Sequence, residues 1–468
     1  MDKQSKSVSG LPSSVSIIGA GLAGSLLGIY LAKKNFQVEI FERRPDMRTT
    51  DIGGGRSINL ALSVRGIHAL QETAISDKVM RVAIAMRGRM IHTPTGELVF
   101  QRYGKDDPEV IYATSRADLN KTLMTAAEKY KNVKINFSTR CTGMNLETGD
   151  VTFTNEETGE ESTAQTRTVI GTDGSASVIR NEMVNKGIGQ FTQDHLEYGY
   201  KELTIPPGPN GKHLIEKNAL HIWPRKTYML IALPNLDGSF TCTFFFPHKG
   251  EESFEGLSTR EAVKDFFVHN FPDAVSLMPE FEEEYFENPT GSMVTVKGLP
   301  WHVEGKALLL GDAAHAIVPF FGQGMNCAFE DCSHLNRLLQ RQMSYGRSPD
   351  RVDWNEAFTE FERVRKKDTD AIADLAVENF VEMRDFVAQP KFQLKKKVER
   401  ILEEKYPGLF VPKYTMVTFR RIPYSVARSR GIVQEKILDE LCEHITQPEE
   451  VDLRKADLLI SKQLDYIE

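Results

Sequence analysis

The chain has 468 residues, a 40% hydrophobic fraction and a formal net charge of −7 with acidic and basic residues interspersed. That length is enough for two or three domains with a large core, and the mixed charge excludes a nucleic-acid polyanion as the main partner. The opening MDKQSKSVSGLPS and the closing SKQLDYIE are polar and no apolar stretch approaches the roughly 18 residues of a membrane span, so a soluble, cytoplasmic protein without a membrane anchor is expected.

The first predicted element is an apolar strand, Val15 to Ile18, followed by Gly19, Gly21 and Gly24 in G-x-G-x-x-G spacing, an apolar helix, and a second strand ending at Glu42. This is a dinucleotide fingerprint in its proper context: Gly19 makes the tight turn, Gly21 admits the pyrophosphate, and Gly24 lets the helix approach the strand. Glu42 stands where a carboxylate takes the hydroxyls of an adenosine ribose. The fingerprint alone fits NAD and FAD equally. Next, the GGGR run at Gly53 to Arg56 reads either as a second phosphate loop or as a flexible connection.

In AMRGRMIH, strand periodicity puts Arg87 and Arg89 on one face. Read alone, these are two surface arginines in ion pairs; a guanidinium aimed inward would instead suit a planar carboxylate. A further glycine turn, TVIGTDGSASVIR, follows the strand Val169 to Gly171 and puts Asp173 and Gly174 beside the nucleotide fold. From about residue 181 to 300 the pattern changes: LHIWPR, then YMLIALP and SFTCTFFFP around Asn235 to Gly238, predict a hairpin in an antiparallel substrate-domain sheet.

The stretch GDAAHAIVPFFGQGMNCAFED, Gly311 to Asp331, returns to the nucleotide domain over residues 301–345. It reads as a strand, Ala307 to Gly311, that leaves Asp312 at its end to accept hydrogen bonds from ribityl or ribose hydroxyls. Gly322 and Gly324 then bring backbone up to a flat ring, and a helix beginning near Met325 aims its free N–H groups and positive dipole end at it. Pairing this segment with a fingerprint about 290 residues earlier favours FAD over NAD. His315 reads as a loop-framing side chain, and Pro319, Phe320 and Phe321 read equally as core or as an apolar wall beside a flavin. Residues 346–468 read as helical, with amphipathic runs at Trp354 to Phe386 and Phe392 to Glu404. Asn379, a mediocre helix former inside the first run, needs either a polar contact or solvent; Lys395 to Lys397 read as a solvated face. The expected fold is therefore α/β: a Rossmann-like FAD-binding domain in two pieces (residues 1–180 and 301–345), a β-sheet substrate domain (181–300) and a helical C-terminal region.

One fingerprint, a DG turn and a late GD segment, with no second fingerprint and no redox C-x-x-C, resemble the class A flavoprotein monooxygenases, the single-component aromatic hydroxylases. More narrowly, GRSINLALS, MRGRMIH, LHIWPR, IVPFFGQGMN and PKYTMVTFRRI resemble the kynurenine 3-monooxygenase family. The resemblance implies bound FAD, NADPH as a transient cosubstrate, and insertion of one atom of O2 into L-kynurenine by a flavin hydroperoxide. It implies that Arg89 and Tyr103 hold the substrate carboxylate, with Asn379 and Tyr414 completing that end. It assigns Ala23, Arg43, Ala61, Arg116, Cys141, Met325 and Asn326 to the cofactor, the last two at the pyrimidine edge. Five scattered cysteines and histidines without H-E-x-x-H spacing predict reduced thiols and no metal. Another class A hydroxylase, or a flavoprotein-fold binding module without activity, remains the rival reading.

Overall fold

The computed structural model describes residues 14–49, 59–105, 108–386 and 389–467; the GGGR run lies outside them. The chain divides into two compact units, each assembled from three separate segments.

The first unit comprises Met1–Val82, Thr114–His195 and Val294–Ala373. Short apolar strands that are buried on both sides require a covered parallel sheet. Such a sheet forms in the order His302–Val303, Ala307–Leu309, Thr168–Gly171, Ser14–Ile18, Gln37–Phe41, Val133–Asn136. All neighbours run parallel except the edge pair His302–Val303 with Ala307–Leu309. The helix Leu22–Ala32 packs against helices Arg116–Ala127 and Gly324–Ser344. A three-stranded meander, Thr139–Met144, Asp150–Asn155 and Glu161–Gln165, carries Cys141.

The second unit comprises Ala83–Ala113, Leu196–Met293 and Asp374–Glu468. Its sheet takes residues from Leu196 on of the strand Gln190–Ile205, then Phe240–Pro247, Tyr228–Pro234, Ala219–Arg225, Gly88–His92 and Leu98–Arg102 in that order. The expected hairpin is present: Tyr228–Pro234 pairs antiparallel with Phe240–Pro247, and Gly238 takes φ of 92° in the turn. One sheet face packs Trp223, Phe244 and Phe246 against Phe266, Phe267 and Tyr285 from the helices that follow. A separate helical core gathers Leu402, Phe410, Leu438 and Ile460 near the C-terminus.

Two boundaries differ from the expected segments. Residues 83–113 belong to the second unit because Gly88–His92 pairs in parallel with Ala219–Arg225, about 130 residues later. Residues up to Ala373 of the helix Trp354–Val381 belong to the first unit, and that helix ends in a π-helical turn, Glu382–Phe386. A π turn marks a local irregularity of the kind that proteins place at functional sites.

Candidate active site

In the first unit Gly19 and Gly24 take the backbone roles their spacing predicts. Gly19 has φ of 98° and donates its N–H to Phe41 O at 2.8 Å. A Cβ on Gly24 would stand 2.0 Å from Gly19 O, whereas one on Gly21 would meet nothing within 4 Å. Open space thus lies at the start of the helix Leu22–Ala32, whose N-cap Gly21 offers no side-chain hydrogen bond. The free N–H groups of that helix start fit a pyrophosphate. Gly24→Ala should displace backbone at a cost of about 1–3 kcal/mol or more, and the purified variant should lose most of its flavin absorbance per protein.

Glu42 is buried just past the second strand, where Oε2 accepts from Ala20 N at 2.9 Å and Oε1 from Arg44 Nε at 2.9 Å. Oε1 also accepts from Arg44 N at 3.1 Å, so it is Oε2 that keeps a lone pair for a hydroxyl. Arg43 beside it, Arg116 at the start of its helix and Asp312 are exposed. Ala23 in the fingerprint helix lies close to the late segment: a Cβ on Gly311 would come within 3.7 Å of its Cβ. Gly311 itself has φ of 64°, and the strand before it is shorter than expected, Ala307–Leu309. In the DG turn, Asp173 Oδ2 accepts from Val178 N at 2.7 Å while the buried Oδ1 has no partner, and burial pushes the carboxyl up. An orphaned buried oxygen beside this fold suits a ligand donor. Cys141 is buried, and burial pushes its thiol up to about 12.

Met325 and Asn326 lie in the first turn of the helix Gly324–Ser344, where backbone N–H groups lack intrahelical acceptors. The side chain of Asn326 is committed elsewhere: Oδ1 accepts from Ser63 N at 2.9 Å, and Nδ2 donates to Ala61 O at 2.8 Å and Gly322 O at 2.9 Å. The expected reach of Asn326 to a pyrimidine edge therefore narrows to its N–H, because its carboxamide cross-links three backbone groups. The carbonyl of Ala61 is one of the three groups held by that carboxamide.

Sequence reasoning missed the ion network beneath this helix. Arg365 donates from Nε to Asp331 Oδ1 at 2.7 Å and from Nη1 to Glu330 Oε2 at 2.8 Å; Arg65 donates to Glu330 Oε1 at 2.5 Å. His315 Nε2 lies 2.6 Å from Asp331 Oδ2, which also accepts from Gly311 N at 3.2 Å. Burial works to raise both carboxyls, but the guanidinia and His315 overcome it and hold each at about 2. His315, Cys327 and Asp331 are close enough to hold a cation. Arg365 already neutralises Asp331 and lies 3.4 Å from Cys327 Sγ, so an ion pair accounts for the cluster.

In the second unit, the expected shared face of Arg87 and Arg89 fails because the strand breaks between Ile84–Met86 and Gly88–His92. Arg87 at the break is exposed, whereas Arg89 is buried at 9% exposure. Its guanidinium lies 5.7 Å from the ring centroid of Tyr103 and 5.1 Å from that of Tyr414. Those two rings stack with centroids 5.3 Å apart. Arg89 Nε and the Tyr103 hydroxyl are buried without a hydrogen-bond partner, and no acidic group among the described residues forms an ion pair with Arg89. Charged side chains that are buried are almost always paired, so this cation stands ready for an anion.

Arg89, Tyr103 and Tyr414 line a cavity of about 370 Å³ together with Glu382 and Lys396. Burial pushes the Glu382 carboxyl up, but Lys396, Lys413 and Arg89 outweigh it and leave it below its ordinary value. Asn379 is buried one helical turn before Glu382, with Nδ2 at 3.2 Å from Met383 Sδ, and is not among the lining residues. Glu382 escaped the sequence reading; its i+3 spacing from Asn379 was the signal that could have found it.

The FAD binding domain family matches residues 13–357 of the chain. A kynurenine 3-monooxygenase of Myxococcus xanthus is 52% identical over 450 residues, covering 96% of this chain and 95% of that protein. One from Dictyostelium discoideum is 44% identical over 454 residues, covering 96% and 97%. Among solved structures, the tetrameric form of 2-methyl-3-hydroxypyridine-5-carboxylic acid oxygenase aligns with a TM-score of 0.64 at 18% identity, over 81% of this chain and 94% of that one, a likeness of fold.

Proposed function

The chain belongs to the kynurenine 3-monooxygenase family, and from that premise we infer that it hydroxylates L-kynurenine to 3-hydroxykynurenine with FAD bound and NADPH and O2 as cosubstrates. One oxygen atom enters the ring carbon ortho to the ring amino group and the other leaves as water; NADPH and a proton supply the hydrogens. When bound, FAD accepts the reducing equivalents and activates dioxygen. The protein contributes binding, orientation and exclusion of water.

The observation that carries the substrate assignment is the buried Arg89 that no carboxylate among the described residues pairs directly. In this reading its guanidinium and the Tyr103 hydroxyl take the α-carboxylate of the amino-acid end, with Tyr414 and Asn379 completing the grip. Glu382 on the wall of the same cavity matches the α-ammonium, so the cavity suits a zwitterion. Gly19, Gly21 and Gly24 hold the pyrophosphate, Glu42 and Arg43 the adenosine end, and the N–H groups of Met325 and Asn326 the pyrimidine edge. Ala23, Ala61, Arg116, Cys141 and Asp312 complete the cofactor contacts.

No helix among the described residues is long and apolar enough to cross a membrane. A cytoplasmic location is part of the proposal, supported by five buried free thiols that suit a reducing compartment.

The test is aerobic NADPH consumption by the purified yellow protein with and without L-kynurenine, with product mass read in the same tube. Stimulated consumption with a product heavier by one oxygen is the expected result. Stimulation that yields only hydrogen peroxide would make kynurenine a pocket-filling effector and reassign the substrate to another aromatic.

A further inference from the structure

A chain of buried hydrogen-bonding groups lies behind the strand that carries Arg89. Side chains alternate along Gly88–His92, so His92 points to the opposite sheet face from Arg89. His92 Nδ1 lies 2.6 Å from Asp273 Oδ2, and its Nε2 lies 2.9 Å from His221 Nδ1. The chain ends where His221 Nε2 meets the carbonyl oxygen of Glu216 at 2.8 Å. The His92 ring stacks on Trp223 at a centroid distance of 3.9 Å, and the Trp223 indole N–H donates to Asp273 Oδ2 at 2.8 Å.

The far end fixes the direction of every bond. A carbonyl can only accept, so His221 Nε2 carries a proton. Burial pushes the His221 imidazole down to about 4, so it carries one proton only and its Nδ1 is an acceptor. His92 Nε2 must then donate. At the other end Asp273 Oδ2 accepts from Trp223 and faces His92 Nδ1, an arrangement that a carboxylate satisfies with a second N–H. Hydrogen bonding to His92 and Trp223 overcomes burial and holds the Asp273 carboxyl below its usual value.

We propose that His92 is a doubly protonated positioning residue, whose imidazolium, clamped between Asp273 and His221, fixes the strand that presents Arg89 to the substrate carboxylate. The proposal rests on Arg89 being that clamp. The ladder with Ala219–Arg225 ends at the pair Ile91–Ile222, so on that flank side chains hold the strand at His92, while on the other the ladder with Leu98 continues. Arg225 Nη1 donates to His92 O at 3.0 Å, which secures the carbonyl, and Asp273 secures the ring. The charged and titratable groups facing His92 are Asp273 from the helix Pro272–Val275 and His221 and Arg225 from the neighbouring strand; on the edge strand its partner is the apolar Leu98.

Two measurements on the FAD-loaded full chain test this. In the wild-type protein with 15N-labelled histidine, both ring nitrogens of His92, assigned by their loss in H92Q, should carry protons at neutral pH; a neutral His92 ring would overturn the proposal without any need for a variant that folds. In D273N the ring loses its counter-charge, so KM for L-kynurenine should rise about tenfold at the alkaline end of the neutral range and recover on acidification, with kcat within about twofold of wild type. An unchanged KM, or a KM raised equally at every pH, would reduce Asp273 to a structural group and overturn the proposal. R89A run alongside separates the two readings. Unaltered KM in R89A strikes the carboxylate clamp, whereas raised KM in R89A with a pH-independent D273N strikes the His92 assignment alone.

Discussion

Arg89→Met should raise KM for L-kynurenine about tenfold to a hundredfold while the melting temperature changes little. A charge-assisted hydrogen bond to a carboxylate is worth about 1.5–3 kcal/mol, which converts to roughly that range in affinity. Stability should change little, because Arg89 forms no ion pair among the described residues, and burial works against its charge while Tyr414, Tyr103 and Glu382 favour it. Two aromatic faces at 5.1 and 5.7 Å return part of the desolvation penalty, but an apolar side chain of similar volume incurs none. Steady-state kinetics and a thermal melt on the same preparation check both arms. A lowered melting temperature with unaltered KM would make Arg89 a structural residue. Arg89→Lys should recover only part of the affinity, since a point charge lacks the planar fork.

Arg365→Met should produce the largest loss of stability, about 3–5 kcal/mol, because it leaves Glu330 and Asp331 buried beside a single remaining arginine. The pH dependence carries a sign that identifies the mechanism. In the wild type both carboxyls are held at about 2, so their contribution is fully present above the ordinary carboxylate range near 4 and is lost as pH falls towards about 2. Without Arg365, burial becomes the dominant influence and favours the neutral acids, so mild acidification should stabilise the variant where it does not stabilise the wild type. Denaturant unfolding at neutral and mildly acidic pH measures both. A variant within about 1 kcal/mol of wild type, with the same pH profile, would show that the network adds little.

The nucleotide half was legible in the sequence because its determinants are local. Gly19, Gly21 and Gly24 act within one turn, and the strands beside them are continuous apolar runs. The substrate half was less legible because its determinants are distant. Strand periodicity alone put Arg87 and Arg89 on one face, and only the pairing of Gly88 with Ala219 and the break before Gly88 separate them. Arg65, Glu330 and Arg365 carry no local signal, because the partners that form their ion network lie 35 and 265 positions away. Asn326 is a further case of distant determinants: its carboxamide ties Ala61, Ser63 and Gly322 together, partners that local pattern does not reveal.

The interlaced order of the segments constrains how the chain is made. The fingerprint strand Ser14–Ile18 finds its neighbour Thr168–Gly171 only after about 150 residues, and that strand finds Ala307–Leu309 only after about 135 more. At roughly 5–20 residues per second, the first glycine turn waits about 15–60 s on the ribosome before the segment bearing Gly311 is synthesised. Through that interval the apolar strands have exposed edges and no complete cofactor site. The nascent chain should therefore depend on chaperones until late in translation, and free FAD should rescue it only after the helix beginning at Gly324 has emerged.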